Sequence, residues 1–333
     1  MSRIQYQHTF DYIISLENLL AAWTEFAKGK RARNDVQEFE RNLMANIISL
    51  HIDLAAKTYT HSAYRIFKIA DPKPRVIHTA IVRDRLLHHA LHRRLSPFFA
   101  KIFIADSCSC QIGKGTHRAL RRFCKFINVV SKNNTRIAWV LKCDIKKFFA
   151  NIDQVILLDM MAKYIPDKNI LWLVSVIVGS FYSGNLGVGL PLGNLTSQLL
   201  SNIYMNEFDQ FAKHRLKAEH YIRYADDFAI FSSDQMQLEI ILLVMQKFLA
   251  QKLKLSMHPN KVFIKTAASG IDFLGWVHFP DHRVLRTVTR KRMFENIRTK
   301  KGKFETIQSC KGLVSHGNGW KLRQKIENRQ MIN

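Results

Sequence analysis

The sequence predicts an α+β chain organised as two or three subdomains, and three observations predict it. Apolar residues recur at three- and four-residue intervals near the start (Ile13, Leu16, Leu20 and Trp23, then Phe39, Leu43, Ile47 and Leu50), the period of amphipathic helices. Further along, Tyr221-Ile222 and Phe228-Ala229-Ile230-Phe231 flank Tyr224-Ala225-Asp226-Asp227, which reads as two short strands with a tight turn between them. The chain has 333 residues, 47% of them apolar, which exceeds the usual single-domain size and suffices for a real core.

The elements follow in order. After the helical start, interrupted by the basic stretch Lys28 to Arg33, Tyr64 to Ile69 reads as a strand ended by Asp71-Pro72-Lys73-Pro74, and Arg75-Val76-Ile77 resumes it as a hairpin partner. Ile81 to Phe99 is helical and basic. Gly113-Lys114-Gly115-Thr116-His117-Arg118 opens a further basic helix through Arg121, Arg122 and Lys125. It lacks the spacing of an ATPase phosphate loop, so two readings stay open: a helix N-terminus touching a nucleic-acid phosphate, or a simple turn and cap.

An apolar strand, Ile137 to Leu141, leads into Asp144. Gln154 to Tyr164 is helical, and Ile170 to Phe181 reads as a buried core helix, too short to span a bilayer. A loop with glycines at 184, 187, 189 and 193 then precedes a helix from Thr196 to His214, and its glycines permit close backbone approach to a ligand. Gln237 to Leu253 is an amphipathic helix, Leu255 to Lys265 turns at His258-Pro259-Asn260, and Ile271 to Val277 reads as a strand.

A lone Asp-Asp is ordinarily just a turn. Here a third carboxylate, Asp144, ends another apolar strand some 80 residues upstream. Three carboxylates from two strands suit two Mg2+ ions about 3.5–4 Å apart, an arrangement that activates an attacking oxygen and stabilises the leaving one. That is polymerase chemistry. The charge agrees: 51 Lys and Arg against 26 Asp and Glu leave a net charge of +25, which predicts a polyanionic partner, most simply nucleic acid, rather than a membrane. Residues 281–333 carry much of this excess and read as a nucleic-acid-gripping segment, against a merely solvated basic face. The start of the chain shows no secretory h-region and the five cysteines lack paired spacing, so a cytoplasmic, reducing location is expected; Cys108-Ser109-Cys110 has no second pair and is assigned no zinc.

From Tyr64 to Trp320 the chain resembles a reverse transcriptase. Asp144-Ile145-Lys146-Lys147-Phe148-Phe149 resembles the first catalytic motif of that family, and Gly189-Leu190-Pro191-Leu192-Gly193 with Ser197 and Asn202 its substrate-loop motif. Tyr224-Ala225-Asp226-Asp227 resembles its catalytic hairpin, and Phe273-Leu274-Gly275-Trp276 its primer grip. The resemblance implies a right-hand polymerase: a helical extension (1–62), fingers (63–140), a palm (141–280) and a short, basic helical thumb (281–333). It implies two Mg2+ ions held by Asp144, Ile145, Asp226 and Asp227, with Asp227 the less direct. It implies a dNTP site at Lys73, Arg75, Ile145, Phe149, Leu192, Gly193 and Lys261, where Phe149 blocks a ribose 2′-OH and Lys261 protonates pyrophosphate, and a primer grip at Phe273, Leu274 and Gly275.

Leu192-Gly193-Asn194-Leu195-Thr196-Ser197-Gln198 is similar to the enzymes of bacterial and phage diversity-generating retroelements, with Leu192 where most reverse transcriptases carry Gln. Pro72 to Ile77, Gly115-Thr116-His117 and the C-terminus near Ser315-His316-Gly317 also resemble that group. With no further-domain-sized extension seen, a mobile group II intron protein is disfavoured. The narrower resemblance implies template RNA, an RNA/DNA hybrid and dNTPs as partners, a small basic accessory protein oligomer, and cDNA mutated at template adenines that diversifies a target gene. The alternatives are an antiphage-defence or retron-like reverse transcriptase, and an inactive RNA-binding protein on a polymerase scaffold.

Overall fold

The computed structural model describes residues 4–70 and 74–330. The helical periodicity at the start forms α1 (Phe10–Ile14), α2 (Leu16–Ala27), α3 (Asn34–Arg41) and α4 (Leu43–Ala55). Next comes an antiparallel hairpin, β1 (Arg65–Ile69) with β2 (Arg75–Thr79), in which Ile69 pairs with Arg75. The basic helices are α5 (Val82–Ala100) and α6 (Thr116–Val130). They lead into β3 (Trp139–Asp144), a 3-10 turn (Phe148–Asn151), α7 (Gln154–Ala162), α8 (Lys168–Gly179) and α9 (Leu195–Gln210). After these, β4 (Tyr221–Tyr224), β5 (Asp227–Ser232), α10 (Gln235–Leu253) and β6 (Phe263–Thr266) complete a four-stranded antiparallel sheet in the order β4-β5-β3-β6.

The expected single strand from Ile271 to Val277 is instead two, β7 (Ile271–Phe273) and β8 (Trp276–His278), joined through Leu274 and Gly275 at φ +51° and +84°. Two positive φ values in a two-residue loop make the tight turn that matches strand twist, and Leu274 hides it because such turns ordinarily carry Asn, Asp or Gly. β9 (Arg283–Leu285) pairs with β8, so the helical end begins beyond residue 281, with α11 (Thr287–Thr299), α12 (Phe304–Val314) and α13 (Trp320–Gln330).

Two apolar cores meet at the four-stranded sheet. Leu141, Cys143, Phe228 and Ile230 pack with α1 to α5 and α7 to α10, whereas Val140, Ala229, Phe231 and Ile222 pack with α6, β7 to β9 and the terminal helices. This follows from the pleat, which sends alternate side chains to opposite faces. No helix among the described residues is long and apolar enough to cross a membrane.

Candidate active site

On β3 the pleat places Val140, Lys142 and Asp144 on one face, the face that carries the second core. The register sets Asp144 opposite Asp227, while Tyr224 pairs with Asp227 to close the β4–β5 hairpin around Ala225 and Asp226. Ala225 has φ +55°, and the amide of Ile145 donates to the Asp226 carbonyl at 3.1 Å, stitching the end of β3 to the turn. Residues some 80 positions apart are thereby brought to one sheet edge. Ile145 has a hydrocarbon side chain, so its main-chain carbonyl is the oxygen it can offer a cation.

Each carboxylate has a different environment. Asp144 accepts a 2.9 Å hydrogen bond from Lys261 Nζ, and its carbonyl accepts from the His258 amide at 2.7 Å. Burial, and then the negative charge of Asp144, push the Asp226 carboxyl above its ordinary value. A buried carboxyl pushed up by a neighbouring carboxylate is a strain that a divalent cation relieves, so Asp144 and Asp226 fit Mg2+. The carboxylate of Asp227, expected to be the less direct of the metal residues, is ion-paired with Lys142 Nζ. Lys142 is 6% exposed, and burial draws its ammonium down to about 8 against the opposing pull of its acidic neighbours. Among the described residues no three His, Cys, Asp or Glu side chains form a metal-binding group.

The turn is held from below by a buried polar network centred on Arg223 and Asp209, which the sequence pattern did not single out. Arg223 is fully buried and donates to Asp209, to Ser107 Oγ, to Asn202 Oδ1 and, at 3.0 Å, to the Ala225 carbonyl. Ser109 Oγ accepts from the Ala225 amide at 3.0 Å, and Asn202 Nδ2 donates to the Ser109 carbonyl. Both polar groups of Ala225 are thus satisfied by side chains, which fixes its left-handed conformation. Cys108-Ser109-Cys110 therefore supplies a hydroxyl to the hairpin. The available signal was an Arg inside an otherwise apolar strand, Tyr221-Ile222-Arg223-Tyr224.

The glycine loop docks on protein rather than standing open for a ligand at two of its glycines. A Cβ at Gly193, where φ is +115°, would lie 2.8 Å from Ile77 Cγ2, and one at Gly189 would lie 2.7 Å from Ser183 Oγ. The His78 amide donates to the Leu192 carbonyl at 2.9 Å, so Leu192 and Gly193 are pinned to β2. On the other side the Leu190 amide donates to the Phe149 carbonyl at 2.8 Å, which links the loop to the turn after Asp144. Phe148 is buried and Phe149 half-buried, their rings edge to face at 5.3 Å. Arg75 opens β2 and is exposed; Lys73 lies outside the described residues.

Of the expected primer grip, Phe273 is fully buried, stacked 4.7 Å from Phe123 with Lys142 over its face, and Leu274 and Gly275 form the turn that reaches the surface. At the start of α6, Lys114 donates to the carbonyls of Ile104 and Ser107, and Thr116 bonds the Tyr224 hydroxyl. Lys114 thus serves the loop itself, which favours the turn-and-cap reading for this segment.

Comparison with known proteins agrees with this geometry. The family model described as reverse transcriptase (RNA-dependent DNA polymerase) matches residues 68–278. Relatives include Protein YkfC of Escherichia coli (strain K12), 26% identical over 248 residues, covering 63% of this chain and 62% of that protein. Another is the group II intron-encoded protein LtrA of Lactococcus lactis subsp. cremoris, 24% identical over 276 residues, covering 63% of this chain and 44% of LtrA. The chain thus spans less than two thirds of either relative. The solved telomerase structures from Candida albicans (TM-score 0.52, 13% identity, 69% of this chain and 46% of that one) and Candida tropicalis (0.51, 14%, 73% and 60%) share the fold. The polymerase-type palm, with its aspartates at one sheet edge, and the match over most of its length lead to one conclusion: the chain belongs to the reverse transcriptase (RNA-dependent DNA polymerase) family.

Proposed function

We propose that the chain is an RNA-directed DNA polymerase that extends a primer on template RNA with dNTPs. The observation that carries this reading is the meeting of Asp144 and Asp226 at one sheet edge, where the first is countered by Lys261 and the second is held above its ordinary pKa by burial and by Asp144. Asp144 and Asp226, with the Ile145 carbonyl, would hold the two cations, and Mg2+ bound there would neutralise charge on the attacking oxygen and the phosphates. The primer 3′-hydroxyl attacks the α-phosphorus of the dNTP. Arg75 and Lys73 take the triphosphate from the fingers hairpin, Lys261 exchanges Asp144 for the departing pyrophosphate and protonates it, and Phe149 lies against the sugar. The basic end grips the hybrid through its backbone.

The finer reading is a diversity-generating retroelement enzyme that copies a template-repeat RNA into adenine-mutagenised cDNA, with a small basic accessory protein. Its support is the run Leu192 to Gln198, with Leu192 in place of Gln. The test is Mg2+-dependent primer extension on a defined RNA with sequencing of the cDNA. Extension lost in Asp144→Asn and Asp226→Asn, with RNA binding retained, supports the polymerase, and errors concentrated at template adenines support the finer reading. Near-wild-type extension by either variant overturns the metal assignment.

A further inference from the structure

We propose that Lys142 is the positioning residue of this site: it holds Asp227 as an internal ion-pair partner, leaving Asp144 and Asp226 to carry the cations, and ties the catalytic hairpin to the β7–β8 turn through Phe273. The proposal rests on the polymerase reading only for its kinetic consequence. Its basis is geometric. Lys142 is opposite Ala229 in the β3–β5 register and Asp144 is opposite Asp227, so Lys142 and Asp227 are diagonal neighbours on one face of the sheet. A lysine reaches across that diagonal. Its ammonium meets Asp227 and lies 5.6 Å from the centre of the Phe273 ring.

An ammonium buried to this degree needs a partner. If Asp227 turned to a cation, Lys142 would be left charged in the interior, beneath a cation of its own sign. Asp144 differs, since its partner Lys261 is 43% exposed and can swing into solvent or onto a phosphate when a cation arrives. The two lysines therefore divide the three aspartates. One ion pair is exchangeable and the other is part of the core. Phe273, with its face to Lys142 and its neighbours Leu274 and Gly275 at the turn, passes a shift of the hairpin to the surface that would face a primer.

The test is Mn2+ titration of the nucleotide-free full chain, with free Mn2+ read by electron paramagnetic resonance, on wild type, Lys142→Met, Asp227→Asn, Asp144→Asn and the Lys142→Met/Asp227→Asn pair. Released from its partner, Asp227 adds a third carboxylate, so Lys142→Met should bind Mn2+ about tenfold tighter, and the double variant should return to the wild-type isotherm. Asp227→Asn alone leaves the Lys142 ammonium unpaired and should weaken Mn2+ only modestly, where Asp144→Asn removes a ligand and loses binding. In primer extension, Lys142→Met should lower kcat with little change in KM for dNTP, and Lys142→Arg should restore it. An unchanged isotherm in folded Lys142→Met, or Asp227→Asn weakening Mn2+ as much as Asp144→Asn, overturns the proposal. If Lys142→Met does not fold, the comparison of Asp227→Asn with Asp144→Asn decides. Wild-type protein that binds Mn2+ but extends no primer would count against the polymerase reading and leave the assignment of Lys142 standing on its isotherms.

Discussion

The guanidinium of Arg223 grips both carboxylate oxygens of Asp209, Nε to Oδ1 at 2.7 Å and Nη2 to Oδ2 at 2.6 Å, with both side chains fully buried. The third nitrogen of the fork reaches the Ala225 carbonyl, so α9 and the β4–β5 hairpin are joined through one planar group. Removing one partner leaves a buried charge uncompensated, at a cost of about 3–5 kcal/mol. Arg223→Met should therefore lower stability by that amount in urea unfolding. Arg223→Lys keeps the charge but loses the fork, and should fold while extension falls by about tenfold or more through misplacement of Asp226. Lysine at full activity would reduce the pair to a packing role.

What could be read from the sequence was whatever local pattern specifies. Alternation around Asp144 and the apolar runs beside Asp226 and Asp227 announce strand ends, and helical periods place α2, α4, α5 and α10. Long-range partners leave no such mark. Arg223, Ser109 and the α9 residues Asn202 and Asp209 come from three separate segments, and each alone is an ordinary polar residue. Lys142 is one of 51 basic residues, and only the β3–β5 register shows that it faces Asp227 rather than solvent. The glycine at 193 was legible as special, but its reason, the side chain of Ile77, is a tertiary neighbour.

Stability should fall on acidification because three histidines, His88 and His278 buried and His89 half-buried, are held neutral. Burial above all lowers His88 and His278 to about 3 and His89 to about 4. With folded values depressed below the ordinary 6.5, the unfolded chain takes up protons first as pH falls. Their contribution is complete above about pH 6.5 and lost progressively between there and about pH 3–4, with a slope near 1.4 kcal/mol per pH unit for each proton. His278→Gln should remove roughly one proton from that slope in urea melts between about pH 7 and 4.5. An unchanged slope would place the uptake on other groups.

RNA affinity should depend steeply on salt. On α11, Met293 and Ile297 face the core while Arg290 and Lys291 are exposed, so the latter are disposed to meet phosphates. Replacing both with Gln should reduce the slope of log affinity against log salt by about 0.7 for each single-strand phosphate that is no longer neutralised. The variants should keep their melting temperature, since neither side chain is packed. A slope equal to wild type would make this face merely solvated.

Leu192 is the residue on which template fidelity should turn. Its carbonyl is fixed to β2 by the His78 amide and its neighbour Gly193 fits against Ile77, so the loop backbone is set and a change of side chain alters only what is presented beside it. Glutamine there can hydrogen-bond a nucleotide or its template partner, whereas leucine gives apolar contact and no polar check on geometry. Selectivity is a difference of transition-state free energies, and about 1.4 kcal/mol, the scale of one hydrogen bond, is worth tenfold. Leu192→Gln should therefore lower misincorporation opposite template adenine by up to about tenfold, and by more than opposite other bases, with rate little changed. Deep sequencing of cDNA from a defined RNA measures it directly. An identical adenine error spectrum in variant and wild type would move the source of infidelity away from this loop, to another part of the site or to a partner.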